Sequence, residues 1–253
     1  MTSRLAVLDA ERIKLTTIRS PLWSALAAAA LSLGVAALQG ATAYGAAGLA
    51  PQQAAMGVAV FGVPLLMVVA AMTVTGEYRS GTIRYTFAAT PNRTVVLVAK
   101  AVVCAVFSVV FTAVLVVAAV TVARLSADPM IGADLSLAGP GVWRLAFALA
   151  VFAAFAAVLG VAVGALVRHA AGAVAVLLLW PLVVEPILGN LPSVGPRIGP
   201  FLPFGNVFTF ADVQWLFPTY AMPWGPFGSL CYFVVVVAAA FVAATVVVGS
   251  RDA

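Results

Sequence analysis

Residues Trp143 to Leu188 read WRLAFALAVFAAFAAVLGVAVGALVRHAAGAVAVLLLWPLVVEPIL. That run of about 45 residues is nearly all apolar. A helix crossing about 30 Å of hydrocarbon needs only about 20 such residues, so the run is twice too long for one crossing. Its break is the pair Arg168-His169. The stretch therefore reads as two membrane helices, 143–167 and 170–188, joined by a tight polar turn. The same test, applied outward, finds 22–38, 54–75, 95–123 and 229–249. Six spans result, and no stretch of the chain asks for a sheet.

Composition agrees. Of 253 residues, 64% are hydrophobic and 8% charged, against about 25% charged in a soluble domain. Mean hydropathy is +1.15. Too few polar residues exist to cover a soluble globule of this size. A soluble enzyme, a disordered tail and a nucleic-acid binder are excluded. The net charge of +5 comes from 13 scattered basic residues, which form no dense patch and read instead as membrane topology. Arg outnumbers Lys 11 to 2, and Ala, Val and Gly dominate, a composition that points to a bacterial, GC-rich source.

Basic residues set the orientation. With the N-terminus inside, the cytoplasmic side carries Arg4, Arg12, Lys14, Arg19, Arg79, Arg84, Arg93, Lys100, Arg168 and Arg251. The outside carries only Arg124, Arg144 and Arg197. This positive-inside asymmetry puts both termini in the cytoplasm. The first span is not read as a signal peptide, because the 21 residues before it include Asp9 and Glu11. Cys104 and Cys231 fall at opposite ends of their spans and form neither a ligand pair nor a bridge.

Two segments lie outside the spans. Residues 4–20 read as a helix with Leu5, Leu8 and Leu15 in one sector. Glu11 and Arg12 fall near that sector, which leaves two readings open: an interfacial helix with a snorkelling Arg12, or a solvated lead-in. The segment 189–228 has only two charges, Arg197 and Asp212, with Phe201, Phe204, Phe208, Phe210, Trp215, Phe217, Tyr220, Trp224 and Phe227. Its recurrent prolines forbid a long helix. It reads as short helices folded back into the outer leaflet, or as an aromatic lid packed on the other helices.

Chemistry-bearing motifs are few. No G-x-x-x-x-G-K-[ST] phosphate loop occurs, so the chain has no evident means of hydrolysing ATP. His169 sits beside Arg168 at a turn and reads as a solvated residue rather than a base. No intramembrane carboxylate pair is apparent. Glu185, in WPLVVEP, falls in the outer third of span five. It reads either as a polar spot on a translocation path or outer gate, or as a hydrogen-bonded cap for the outer loop close to water. Gly160 and Gly164 form a GxxxG that permits close helix approach.

The most informative loop joins spans two and three: TGEYRSGTIRYTFAATPNR, residues 75–93. Glu77 closes span two. Pro91 fits the start of the next helix, with Thr90 as its N-cap. Between them Arg79 and Arg84 alternate with Ile83, Tyr85 and Phe87, a mixture suited to docking on a protein surface. Ile83 and Tyr85 read as anchors, Arg79 and Arg84 as a steering rim. Glu77 reads as an orienting group, taking hydrogen bonds from the backbone or pairing with an Arg. Gly81 reads as a position of special backbone geometry.

Here the sequence resembles the ABC type-2 exporter permeases. The likeness rests on Glu77, Gly81-Thr82, Pro91 with Arg93, and Lys100 at the start of span three. Glu11-x-x-Lys14 followed by Arg19-Ser20-x-x-Trp23 is similar to the family's lead into its first span, and the six-span layout agrees. The resemblance implies one permease domain over 1–253, all-α, with an N-terminal interfacial helix, a cytoplasmic coupling helix after span two and a re-entrant outer segment before span six. It implies a chain with no catalysis and no cofactor of its own. ATP and Mg would be used by a separate ATPase subunit, present in two copies, and a second permease chain, identical or homologous, would complete an exporter in the bacterial plasma membrane. The ATPase-coupling residues would be Glu77, Arg79, Gly81, Thr82, Ile83, Arg84, Tyr85 and Pro91. A wide apolar interior suits a hydrophobic or amphipathic substrate. The competing readings are an intramembrane enzyme, disfavoured by the lack of paired catalytic groups, and a non-transporting membrane anchor or assembly factor. Reporter fusions after Ala253 and within 130–140 should report opposite sides of the membrane; same-side signals would overturn the six-span topology.

Overall fold

The computed structural model describes residues 4–17, 19–44, 48–133, 135–213 and 222–250. Arg251 and the aromatics Trp215, Phe217 and Tyr220 lie outside the described residues. Helix α1 (Arg4–Thr17) precedes the first span, α2 (Arg19–Ala41). A short α3 (Pro51–Ala54) leads to span two, α4 (Val58–Ser80), whose first turn is a wide π turn ahead of Pro64. Then come α5 (Ile83–Ala89), span three α6 (Arg93–Ser126), α7 (Pro129–Gly132) and span four α8 (Pro140–Val167). Span five is α9 (Ala170–Asn190), with α10 (Gly195–Ile198), a 3₁₀ turn and α11 (Pro203–Ala211) before span six, α12 (Pro226–Ser250). Among the described residues the chain is all-α, with six helices long and apolar enough to cross a membrane.

Each predicted span exists, with ends shifted by a few residues. The polar Arg168-His169 break works by two devices. Arg168 adopts a left-handed conformation with φ 57° and ends α8, while the exposed His169 caps α9, its Nδ1 accepting from the Gly172 N–H at 3.3 Å.

The bundle is built around α4 and α8. In α4, 78% of the apolar window is buried against the rest of the chain, whereas α2, α9 and α12 are each less than a third buried. Those outer helices turn apolar side chains outward, as a lipid-facing surface requires. On α6 the outward stripe is Val98, Val102, Val106, Val110 and Val114, spaced by four as one helix face demands.

Gly160 and Gly164 seat α8 on α4. A Cβ at Gly160 would collide with the Met67 carbonyl, and one at Gly164 would meet the Ala71 carbonyl at 2.8 Å. In lipid, water offers no drive for helix association, so such close backbone approach supplies it through dispersion.

Two ends of the bundle can be named from contacts. The near end holds α1, α5 and the C-termini of α8 and α12: the Arg168 guanidinium lies 5.0 Å from the Tyr78 ring centre, and Arg93 Nη1 donates to the Val248 carbonyl at 2.9 Å. The far end holds α3, α7, α10 and α11. There Phe204 and Phe208 of α11 pack edge-on and tilted against Phe152 of α8, and Phe204 against Phe233 of α12. Asn206, fully buried, donates to the Pro200 and Leu202 carbonyls and accepts from Trp224 Nε1. The described part of the segment before span six, 195–211, is thus short helices, as its prolines demand, and packed rather than extended. Cys104 is buried in α6 and Cys231 exposed on α12, both free.

Replacing Gly160 by Val should lower the thermal stability of the detergent-solubilised protein by about 1–3 kcal/mol through overpacking. Gly141→Ala on the same helix, where the new Cβ meets nothing within 4 Å, should leave the transition in place.

Candidate functional site: a buried ion cluster and a capped helix

Lys100 lies seven residues into α6, about 10 Å from its start at 1.5 Å per residue. Its side chain is 2% exposed. An ammonium at that depth is tolerable only if paired and hydrogen-bonded. The pairing comes from two other helices. Lys100 Nζ donates to Glu11 Oε2 of α1 at 2.6 Å, to Glu77 Oε1 of α4 at 2.7 Å and to the Thr73 carbonyl at 3.2 Å. All three of its N–H groups are used. Lys14 of α1 closes the ring, bonding Glu11 Oε1 and Glu77 Oε1 at 2.7 Å each. Two lysines and two carboxylates thus tie α1, α4 and α6 into one neutral cluster.

This arrangement corrects several sequence readings. Glu77 pairs with lysines, not with an Arg or its own segment's backbone; Thr86 adds a long hydroxyl contact of 3.4 Å to Oε2. Glu11 does not spoil the stripe of α1 but belongs to it: Val7, Glu11 and Leu15 are the buried face, while Leu5 is exposed and Leu8 half-buried. Arg12 is exposed and pairs with Asp9 at 3.4 Å. Glu11, on α1 outside the spans, and Glu77 share the two lysines across helices, a juxtaposition that a linear reading does not show. Lys100 is less a topology marker than the centre of the site. The signal for it was present: a lone charge inside an apolar span asks for a buried partner.

Lys14 stands at the edge of the cluster, half-buried. Burial pulls its pKa down, but hydrogen bonds and charge from Glu11 and Glu77 outweigh that and hold it above the ordinary lysine value of 10.5. The stabilisation from a raised lysine is complete below its unfolded value and lost only as pH climbs through the raised one. Lys14 therefore stays charged, and its pairs stay intact, throughout the neutral range.

Beyond Glu77, α4 runs to Ser80 and stops at Gly81, whose φ of +72° is the left-handed conformation that favours glycine. Thr82 then opens α5. Within α5, Ile83 is 5% exposed and sits beside Val74, Tyr78, Val96 and Leu97. It holds α5 on the bundle and offers nothing to a docking partner, contrary to its reading as an anchor. Tyr85 is 78% exposed, and Arg79 and Arg84 are exposed around it. Phe87 is half-buried under the Arg93 guanidinium, 5.1 Å from the ring centre. Thr90 and Pro91 do not start the next helix. Asn92 does, its side chain accepting from the Val95 N–H at 3.2 Å; Pro91 is an exposed joint before it.

Glu185 lies at the other end of the molecule. Where the sequence places it close to water, the structure buries it completely. Pro181 and Pro186 lack the donors a regular helix needs, and α9 widens into a π turn over Trp180–Val184. That turn brings Trp180 Nε1 to Glu185 Oε1 at 2.7 Å. Oε2 accepts from the Phe204 N–H at 2.9 Å and the Gly205 N–H at 3.1 Å. The residue before α11 is Leu202, which has no capping oxygen, so Glu185 supplies the cap across the fold. Its carboxylate serves as that cap and is fully buried.

Lys100→Met should cost about 3–5 kcal/mol, because it strands Glu11 and Glu77 with one lysine between them. Adding Glu77→Gln should recover part of the loss. Thermal unfolding of the single and double variants checks this; an additive double variant would show that the two groups are not coupled.

No curated protein matches the chain. The family model described as ABC-2 family transporter protein matches residues 7–183. The matched stretch runs from Val7 in α1 to Val183 in the π turn of α9, and so contains every helix that contributes to the ion cluster. More than half of the chain is covered, and six of its described helices are long and apolar enough to cross a membrane: the chain belongs to the ABC-2 family of transporter proteins, as a membrane permease component.

Proposed function

We propose that this chain is the membrane subunit of an ATP-driven ABC exporter, and that α5 is where a separate ATPase subunit engages it. The observation that carries the proposal is the position of α5. It projects Tyr85 and Arg84 outward while Ile83 holds it to the end of α4, and α4 is fastened two turns away to α1 and α6 through Glu77 and Lys100. A partner pushing on Tyr85 therefore pushes on the most buried helix of the bundle. A solvated connector has no need of an exposed aromatic on a side anchored this firmly.

In this reading the near end faces the cytoplasm of a bacterial cell, as the ten-to-three basic asymmetry requires. Helix α1 lies along the inner membrane surface. Helices α10 and α11 re-enter the outer leaflet, and the packing of α11 against Phe152 and Phe233 supports that placement. Two ATPase copies, with ATP and Mg, work on two permeases, this chain and an identical or homologous partner. ATP binding and hydrolysis shift the pair between inward- and outward-facing states. The apolar walls favour a hydrophobic or amphipathic substrate.

A short docking helix buries modest area, so few residues should dominate binding. Tyr85→Ala should weaken capture of the ATPase by about 2 kcal/mol, near thirtyfold. Gly81→Val should do the same by straining the turn that aims α5. Both variants should still insert in the membrane. If both assemble with the ATPase and support hydrolysis like the parent, α5 is only a connector.

A further inference from the structure

A cleft of about 480 Å³ opens beside the ion cluster, within the range of small-molecule sites. It lies over α4, between the start of α2 at Ser20 and Pro21 and the start of α9 at Ala170. One wall is apolar, made by Leu15, Pro21, Met72 and Ala170; the other carries Lys14, Glu77, Arg79, Ser80, Thr82 and Thr86.

The hydrogen-bonding capacity left in the polar wall decides what fits. Lys100 has spent all three donors. Glu11 has both oxygens on lysines, and Glu77 has one oxygen on both lysines and the other on Thr86. The two lysines and two carboxylates cancel. What remains is one donor on Lys14 and the five donors of Arg79, which has no carboxylate within 4 Å among the described residues. The hydroxyls of Ser80 and Thr82, bonded to each other at 2.8 Å, stand beside them. The cleft thus has an excess of one positive charge and a surplus of donors over acceptors. A planar guanidinium with a neighbouring ammonium suits a phosphate. Depth points to its source. Trp23, two residues beyond Pro21 on α2 and so at nearly the same depth, is 68% exposed, and tryptophans are enriched at the headgroup level.

We propose that this cleft binds a phosphate-bearing anionic membrane lipid, its headgroup on Arg79 and Lys14 and its acyl chains along Leu15, Pro21 and Met72. A lipid held there bridges α1, α2, α4 and α9 next to the ion cluster.

The test uses the purified permease alone, in detergent micelles doped with phosphatidylglycerol or phosphatidylcholine, with bound lipid counted by native mass spectrometry. The parent should retain phosphatidylglycerol in preference, by about tenfold, because both lipids offer a phosphate to Arg79 but only phosphatidylcholine also brings a cation to a cleft already one charge positive. Arg79→Gln should remove the preference and Arg79→Lys should restore part of it. Arg84→Gln, an equal loss of charge on α5 outside the cleft, should leave it intact. Equal retention of the two lipids by the parent, or an unchanged preference in Arg79→Gln, overturns the proposal. Displacement of the lipid by inorganic phosphate reduces the cleft to a free-anion site and overturns the lipid assignment. The measurement needs no ATPase, so its failure leaves the exporter reading standing, and a failed docking experiment leaves the lipid site standing.

Discussion

A lysine that cannot reach water governs the near end of this protein. Lys100 must be neutralised where it stands, and among the described residues the groups that do so sit on α1 and α4. Helix α1 is not long or apolar enough to enter the bilayer, and on propensity alone a helix of 14 residues is marginal in water. Its docking against α6 is secured by Glu11, and its register by Val7 and Leu15 on the same face. Buried ion pairs rarely add much net stability, but an unpaired one is expensive. The cluster is therefore best understood as a specificity device. It admits one arrangement of three helices and penalises every slipped one.

The far end solves a different problem with a different chemistry. A helix that begins inside the protein leaves N–H groups without partners. Leu202 cannot help, and the solution comes from another span: Glu185, carried into place by two prolines and a π turn. Asn206 performs the same service for the carbonyls of Pro200 and Leu202. Between the two polar ends, the middle is held mainly by close contact, with glycines and alanines letting α8 lie against α4. The molecule has polar order at its two faces and dispersion in between, which is the distribution a bilayer imposes.

Much of this was legible in the sequence. Apolar run lengths gave six spans, because the membrane sets a length that soluble folds do not have. The Arg168-His169 break, the left-handed Gly81 and the proline-rich short helices each follow from one residue's local physics. The identities in the ion cluster were visible too, since Glu11, Lys14, Glu77 and Lys100 all stand out against an apolar background. Their meeting was not. It depends on how α1 folds back, and pairing across 89 residues between Glu11 and Lys100 leaves no mark in any local pattern. Ile83 and Tyr85 failed to separate for a related reason: both are apolar neighbours in a short helix, and only the placement of α5 decides which one faces the bundle. Glu185 was misplaced in depth because rise per residue locates a side chain along a span but says nothing of what folds over it.

Helix α4 has one more property. It runs unbroken by proline from Leu65 to Ser80, with a single widened turn before Pro64, and it is packed along its length against α8. A body of that kind transmits angle rather than distortion. From Glu77 back to Val58 is 19 steps, about 28 Å at 1.5 Å per residue. Pivoting by about 5° at the lysine-carboxylate clamp carries the opposite tip sideways by about 2–3 Å, roughly half the 5.4 Å pitch of a helix. In the exporter proposed above, the helix would act as a lever whose fulcrum is electrostatic and whose long arm is apolar, turning a small push at one end of the bundle into a displacement of side-chain size at the other.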